Sequence, residues 1–171
     1  MALLNIVTDE DPILRRISRP VDQITPRIIT LLDDMRDTLH KAEGAGLAAV
    51  QVGVLRRIAL VEVEEGNTIE LINPEIIERF GSQNEVEGCL SLPHQWGVTE
   101  RPMKVTVRAM NRHGENFTVT GEGLLARALC HEIDHLDGKL FIDCTIRMID
   151  EEELQSGSKR SRRRRSSRGN G

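Results

Sequence analysis

The chain has 171 residues, of which 39% are hydrophobic and 29% charged, a composition typical of a soluble globular protein with one sizeable core. No apolar run approaches the ~20 residues of a membrane span, and the N-terminus has neither the layout of a secretory signal nor the basic character of a transit peptide. The three cysteines lack a scaffold-like spacing, which favours a reducing compartment. We therefore expect a cytoplasmic protein with no membrane partner.

The formal charge of −4 conceals two differently charged segments. Residues 159–171 contain seven basic residues and no acidic one, so the rest of the chain has 16 basic residues against 27 acidic ones, a net charge of −11. The basic segment also lacks apolar side chains to bury. These features predict a folded domain over residues 1–150 and a disordered C-terminal tail over residues 151–171, acidic at its start and basic at its end.

The first quarter of the chain predicts an extended arm followed by a helix. In "DPILRRISRPV", Pro12 and Pro20 oppose a long helix. Thr25 is suited to cap the helix that follows, and Pro26 is suited to its first turn. One apolar stripe along this helix contains Ile28, Leu32, Met35 and Leu39. We expect the helix to end near Gly44.

The middle of the chain predicts several strands and few helices. "RIALVEV" and "TIELIN" are separated by a turn at Gly66 and Asn67, and a further strand and a loop follow Pro74. "MKVTVRAM" alternates in the manner of a strand, and "NFTVTG" is its return strand. A second helix is predicted from Glu122 to Leu136. Because the helices do not alternate with the strands, we predict an α+β fold with small antiparallel or mixed sheets around the second helix, and an additional N-terminal helix.

The predicted second helix contains "HEIDH", residues 131–135, which is an HExxH pattern. Side chains four apart lie on the same face of a helix, so His131 and His135 are placed to bind one metal ion. Glu132 lies beside them and is suited to act as a general base toward a water molecule at the metal. The alternative is an ordinary helix whose histidines pack in the core or contact solvent.

A catalytic site of this kind needs a third protein ligand, and two distant segments offer supporting residues. Cys89, which is predicted to lie in a loop in "EVEGCLSLP", would complete a Cys–His–His site, although a free cysteine is more often a small core residue. In "GAGLAAVQ", Gly44 and Gly46 allow backbone to approach a ligand, and Gln51 offers an amide donor for an oxyanion. The alternative for this segment is a plain helix-to-strand turn.

"GAGLAAVQ", "EGCLS" and "HEIDH" together resemble the three motifs of the peptide deformylases of bacterial type, in the same order. The resemblance extends over about residues 5 to 145 and implies hydrolysis of the N-formyl group from formyl-methionyl nascent peptides, with release of formate. It implies that Cys89, His131 and His135 hold a divalent metal, usually Fe²⁺, with Zn²⁺, Ni²⁺ or Co²⁺ in preparations. It also implies that Glu132 activates a metal-bound water, and that the Gln51 amide and the Leu90 N–H stabilise the oxyanion.

The resemblance further suggests where the substrate binds. Backbone at Gly46 would hold the substrate in an extended pose, and Leu124 and Ala128 would line the methionine pocket. Arg127 would lie at the pocket mouth, where it could meet a substrate carbonyl, and Arg101 would have a similar role. The chain departs from many family members in having Cys130 before the first helical histidine. Its only tryptophan, Trp96, lies in "PHQWG", residues 93–97, which is predicted to be a loop after the cysteine motif. The sequence assigns neither residue a role.

Two other functions remain open from the sequence. The first is an HExxH zinc endopeptidase, although no third His or Glu follows at a familiar spacing and "EGCLS" would have no role. The second is a non-catalytic, deformylase-like protein that binds the ribosome or RNA. For a deformylase, which acts on chains leaving the ribosome, the basic tail is a candidate contact to the ribosome or ribosomal RNA. The alternative is a solvated tail with no partner, and no DNA partner is expected.

Overall fold

The computed structural model describes residues 2–150 and 152–155, and its strands form two antiparallel sheets. The helices are α1 (Pro26–Ala42) and α2 (Leu124–Leu136), and short 3₁₀ segments lie at Pro12–Arg15, Ala49–Val52 and Phe141–Cys144. The strands are β1 (Gly46–Ala48), β2 (Ile58–Val61), β3 (Ile69–Phe80), β4 (Gln83–Cys89), β5 (Leu92–Arg101), β6 (Lys104–Met110), β7 (Asn116–Glu122) and β8 (Thr145–Ile149). The sheet orders are β1-β2-β3-β6-β7 and β4-β5-β8, and the α+β prediction is confirmed.

Helix α1 begins and ends as its sequence predicts. The Thr25 side chain accepts a hydrogen bond from the Ile28 N–H, and Pro26 occupies the first turn. The predicted stripe faces the core, where Leu32, Met35 and Leu39 are fully buried. The helix ends at Ala42, and Glu43 adopts the left-handed conformation with φ of 55°.

The five-stranded sheet is covered by a helix on each face. Ile58 and Leu60 of β2 pack in the cluster that contains the buried face of α1. The residue that follows them, Val61, packs in the cluster that contains Ala126 and Leu129 of α2. Because both faces of β2 are covered, all four of its residues are buried, and the strand is a continuous apolar run instead of an alternating one.

Helix α2 begins two residues later than predicted, because Glu122 is the last residue of β7. It ends at Leu136 as predicted, and Gly138 follows with φ of 72°. A Cβ at Gly138 would lie 2.5 Å from the backbone oxygen of Arg15. The N-terminal arm therefore packs directly against the chain that leaves α2, and this arm contains a 3₁₀ turn at Pro12–Arg15 where an extended segment was predicted.

Three predictions for the middle of the chain were wrong. The break expected at Pro74 is absent, since β3 runs through it with a register shift between Ile72 and Glu75. A bulge of this kind tolerates proline, and the Asn73 side chain holds Val21 there through two hydrogen bonds. The segments predicted as loops, around Cys89 and over residues 93–97, are parts of β4 and β5, which pair with each other, and β5 also pairs with β8.

Four residues of the predicted C-terminal tail, 152–155, are among the described residues. Residues 152–155 form one helical turn, in which the Leu154 N–H donates to the Asp150 carbonyl. Residues 156–171, which contain the basic segment, lie outside the described residues, so their predicted disorder stays a prediction. Within residues 2–150 and 152–155, none of the helices is both long and apolar enough to cross a bilayer.

Candidate metal centre and its pocket

Three predicted ligand side chains converge at one point between α2 and the end of β4. Cys89 Sγ lies 3.3 Å from His135 Nε2, which lies 3.2 Å from His131 Nε2. The three ligand atoms lie within 4.8 Å of one another. Metal–ligand bonds of about 2.0–2.3 Å in a tetrahedral site place two ligand atoms roughly 3.3–3.6 Å apart. The thiol and the two imidazoles therefore fit a single divalent ion of the zinc or iron type.

His131 is oriented by a carboxylate that the sequence did not single out. Glu87 Oε1 lies 3.1 Å from His131 Nδ1, and both side chains are almost fully buried. A hydrogen bond from Nδ1–H to this carboxylate fixes the ring and directs Nε2 toward Cys89 and His135. Glu87 belongs to the "EGCLS" motif, two residues before the cysteine, so its position in the motif was the one signal available in the sequence.

Glu87 is held in turn by a buried network behind the site. Arg101 donates to Glu87 Oε2 at 3.0 Å and to Asp134 Oδ2 at 2.6 Å, and the Thr99 hydroxyl donates to Glu87 at 2.8 Å. Burial acts to raise the pKa of Glu87, but the hydrogen bond from His131 and the charges of His131 and Arg101 outweigh it and lower the pKa to about 2. The carboxylate is therefore ionised, which suits a group that holds an imidazole N–H.

The two arginines predicted to meet substrate have different surroundings. Arg101 is 5% exposed and lies in the buried network, on the far side of His131 from the cavity. Arg101 is not among the residues that line the cavity, so the structure does not place it where a contact to substrate was predicted. Arg127 does line the cavity, but its guanidinium donates to the hydroxyl and carbonyl oxygens of Thr99. It thus joins the cavity wall to the network behind it.

A cavity of about 360 Å³ opens in front of the ligands, a size suited to a small ligand or one peptide side chain. The predicted residues on its wall are Gly44, Gly46, Gln51, Cys89, Leu90, Leu124, Arg127, Ala128, His131 and Glu132. His135 lies beneath them and is 1% exposed. Trp96 also lines the cavity, against Gly88, where a Cβ would lie 2.9 Å from the indole Cδ1.

Glu132 lines the cavity, and one of its carboxylate oxygens has no hydrogen-bond partner among the described residues. Its Oε1 lies 3.9 Å from His131 Nε2, while Oε2 is buried and has no hydrogen-bond partner among the described residues. Burial raises the pKa of Glu132 to about 7. A Cβ at Gly46 would lie only 2.7 Å from Oε1, so the first motif needs glycine here to leave room for this carboxylate. Such a group can accept and return a proton near neutral pH.

The Gln51 amide has a fixed orientation beside Cys89. Its oxygen accepts from the Ala48 N–H at 2.9 Å, so its NH₂ group must point the other way. The NH₂ group donates to the Ser91 hydroxyl at 3.1 Å and lies 3.6 Å from Cys89 Sγ. A donor held next to a metal ligand is arranged to meet an oxygen that develops negative charge there.

Cys130 is not a fourth ligand in this arrangement. It lies in the buried cluster between α2 and the five-stranded sheet. Burial raises the pKa of its thiol to about 11, so the thiol stays protonated at neutral pH. The structure therefore assigns Cys130 to the core.

Comparisons with known proteins agree on one family. The family model described as Polypeptide deformylase matches residues 3–151. A protein of Caldicellulosiruptor bescii named peptide deformylase is 56% identical over 155 residues, which are 91% of this chain and 93% of the relative. The same name belongs to a relative in Acetivibrio thermocellus, 55% identical over 163 residues, with 95% of each protein covered. A crystal structure of a peptide deformylase from Legionella pneumophila superimposes with a TM-score of 0.82 at 37% identity, covering 99% of both chains.

Proposed function

This chain belongs to the peptide deformylase family, whose members remove the N-formyl group from nascent peptides, and we propose that the centre formed by Cys89, His131 and His135 is its site of hydrolysis. The protein is an enzyme of the metal-dependent hydrolase class. We further propose that the working metal is Fe²⁺, with Zn²⁺, Ni²⁺ or Co²⁺ able to occupy the same ligands in preparations, and that the enzyme acts in the cytoplasm.

The ligands and their supports define what the metal would do here. Cys89, His131 and His135 would hold a divalent ion through one thiolate and two imidazoles, three protein ligands of the kind found in catalytic sites. When bound, the ion lowers the pKa of a water molecule and polarises the formyl carbonyl. Glu87 keeps His131 in the tautomer that presents Nε2, because its carboxylate accepts the Nδ1 proton.

Glu132 moves the proton in this mechanism. Its carboxylate, which lines the cavity, accepts a proton from the attacking water and then returns it to the amine that leaves. The Gln51 NH₂ group and the Leu90 N–H bind the oxyanion that develops on the formyl oxygen, and the oxygen of Gln51 is already held by Ala48. These donors need little reorganisation during the reaction, because the fold orients them beforehand.

The substrate binds along the cavity in front of these groups. Backbone at Gly44 and Gly46 supports an extended peptide, because β1 is an edge strand of its sheet and offers free backbone groups on one side. Leu124 and Ala128 line the methionine pocket on one face of α2. Arg127 contributes its side chain to the same wall while its guanidinium stays on Thr99.

The convergence of Cys89 with both histidines is the observation that carries this proposal. The test is formate release from formyl-Met-Ala-Ser by protein prepared anaerobically with Fe²⁺ and, separately, with Zn²⁺. We expect release of formate with both metals and faster turnover with Fe²⁺. Internal cuts in an unformylated peptide would instead indicate an HExxH endopeptidase, and a metal-loaded protein without either activity would indicate a non-catalytic binding protein.

The basic tail supports a second, finer proposal, that it contacts ribosomal RNA. Residues 159–171 have seven basic residues and no aromatic one, which suits phosphate contacts better than base stacking. Deleting residues 158–171 should weaken binding to ribosomes and flatten its salt dependence. It should leave kcat/KM on formyl-Met-Ala-Ser unchanged, because every proposed site residue lies before position 136. Equal ribosome affinity with and without the tail would contradict the contact.

A further inference from the structure

Trp96 is a half-buried aromatic side chain on the wall of the substrate cavity, and it takes no part in the proposed proton transfer. It lies on β5 opposite Gly88 of β4. A Cβ at Gly88 would lie 2.9 Å from the indole Cδ1 and 3.0 Å from Nε1, so the indole covers this stretch of backbone closely. The next residue of β4 is the ligand Cys89. The indole is therefore placed beside the proposed metal, with part of its surface open to an incoming substrate.

A bulge in β5 directs this side chain. Trp96 pairs with Gly88, whereas the next residue of β4 pairs with Leu92. Residues 93–95 therefore bulge out of the ladder immediately before the tryptophan. One of them, His94, has a left-handed backbone with φ of 66°, a conformation that is uncommon for a residue other than glycine. Bulges redirect the side chains beside them, and strained backbone of this kind is found at ligand sites. The local geometry of β5 thus serves to aim Trp96 at the cavity.

The apolar side chains of the cavity come from two opposing elements. Leu124 and Ala128 belong to α2 and form the proposed methionine pocket, while Val86 and Trp96 belong to the hairpin of β4 and β5. Leu124 is 58% exposed and Val86 is 44% exposed, so both walls retain apolar surface that a ligand can cover. Exposed apolar surface in a cavity gains free energy when it is removed from water. The methionine side chain covers only the wall on α2.

An extended peptide presents successive side chains to opposite sides. If the methionine faces α2, the next side chain faces away from it, toward Val86 and Trp96. We propose that Trp96 contacts the side chain of the residue that follows methionine, and that it makes the enzyme favour substrates with an apolar, and above all an aromatic, second residue. This inference rests on the proposed function, because it needs the formyl group at the metal and the methionine on α2.

The contact should act on binding and not on the chemical step. The second side chain of the substrate does not change during hydrolysis, so its contact with the indole is equally strong before and in the transition state. Uniform binding of this kind lowers KM and leaves kcat nearly unchanged. An aromatic pair in an offset or edge-to-face arrangement strengthens binding about 2–10-fold beyond the effect of buried area.

The test compares substrates that differ only at one position after methionine, using the full chain loaded with Zn²⁺. The substrates are formyl-Met-Phe-Ser, formyl-Met-Ala-Ser and formyl-Met-Ala-Phe. The variants are Trp96→Ala and Trp96→Phe, and the matched control is Phe80→Ala, since Phe80 is an aromatic residue that is 75% exposed and does not line the cavity. Formate release gives kcat and KM, and calorimetry gives the dissociation constants of the unformylated peptides Met-Phe-Ser and Met-Ala-Ser.

Wild type should prefer Phe to Ala at the second position by about 3–10-fold in kcat/KM, through KM. Trp96→Ala should bring this ratio close to 1, Trp96→Phe should keep most of it, and the control should keep all of it. The calorimetric constants should change in parallel.

An unchanged ratio in Trp96→Ala would overturn the proposal, as would a loss confined to a third-position preference for Phe. An equal fall in kcat on both second-position substrates would also overturn it, because the indole would then support the metal centre. Wild type that releases no formate would contradict the proposed function, while the calorimetric comparison would still decide whether Trp96 contacts the second residue.

Discussion

Two buried carboxylates contact the same histidine from opposite sides and have opposite properties. Glu87, at His131 Nδ1, is 6% exposed, and Glu132, nearer to His131 Nε2, is 4% exposed. The pKa of Glu87 falls to about 2, while that of Glu132 rises to about 7. Burial acts in the same direction on both groups. The difference therefore comes from their partners.

The hydrogen-bond partners of the two carboxylates distinguish a supporting region around Glu87 from a reactive region around Glu132. Glu87 accepts hydrogen bonds from Thr99, Arg101 and His131, so its charge is compensated. Glu132 has one oxygen with no partner among the described residues. In our proposal the saturated side fixes the metal ligands, and the unsaturated side is left for water and substrate.

The largest expected effect comes from the reactive side. Glu132→Gln keeps the volume and the ligands but removes the base, so kcat should fall on the order of 10²–10⁴-fold. Bound metal, measured by mass spectrometry of the intact protein or by atomic absorption, should stay at wild-type stoichiometry. Activity above a tenth of wild type would remove Glu132 from the proton transfer.

The next largest expected effect is a loss of stability when the supporting region around Glu87 is disrupted. Arg101→Met removes the nearer of the two arginines that pair with buried Glu87, at 3.0 Å against 3.7 Å for Arg127, which should lower the free energy of unfolding by about 3–5 kcal/mol. Arg108→Met is the matched control, because Arg108 is exposed and pairs with exposed Glu75; its loss should be about 1 kcal/mol or less. Urea titration measures both. Similar losses for the two variants would mean that the buried network is not essential.

Gly46→Ala perturbs the reactive region around Glu132 less than Glu132→Gln does. The new Cβ would lie 2.7 Å from Glu132 Oε1, so the carboxylate must move. A displacement approaching 1 Å should lower kcat on the order of 10²-fold while metal binding persists. Gly66→Ala is the control, because a Cβ there meets nothing within 4 Å, and its left-handed backbone makes it a test of stability only. Unchanged kcat for Gly46→Ala would show that Glu132 tolerates the shift.

The smallest effect is expected from Glu87→Gln, which keeps the shape of the support but removes its charge. The neutral amide holds His131 less firmly, so metal affinity should fall about 10–100-fold, measured by competition with a chromophoric chelator. Turnover at saturating metal should change much less. A variant with wild-type metal affinity would show that the charge of Glu87 does not support the ligand.

Local patterns in the sequence predict the helices well and the second sheet poorly. Helix α1 follows from Thr25, Pro26 and its apolar stripe, which are all local signals. Strands β4 and β5 were missed because their polar residues and Gly97 suggest loops, while β8, which pairs with β5 on its other side, is far along the chain. The periodicity of a sequence does not contain such long-range pairings.

The residues of the candidate site likewise fall into those that the sequence predicts and those that it does not. His131, Glu132 and His135 follow from helix spacing alone, and Cys89 with Gln51 followed from a resemblance between motifs. Glu87 was overlooked because its contact with His131 joins residues 44 apart in sequence. Arg101 was expected at the substrate, whereas it lies behind the ligands, because a charged residue in sequence gives no indication of which side of a histidine it will reach.

The position of Trp96 has an optical consequence. The chain contains one tryptophan and no tyrosine, so its intrinsic fluorescence arises almost entirely from this indole. The indole lies on the cavity wall against Gly88, the residue that precedes the cysteine ligand. Arrival of a peptide or a metal ion in the cavity changes the polarity and the quenching groups around that single emitter. Occupancy of the pocket can therefore be followed in the unlabelled protein, without a dye and without turnover.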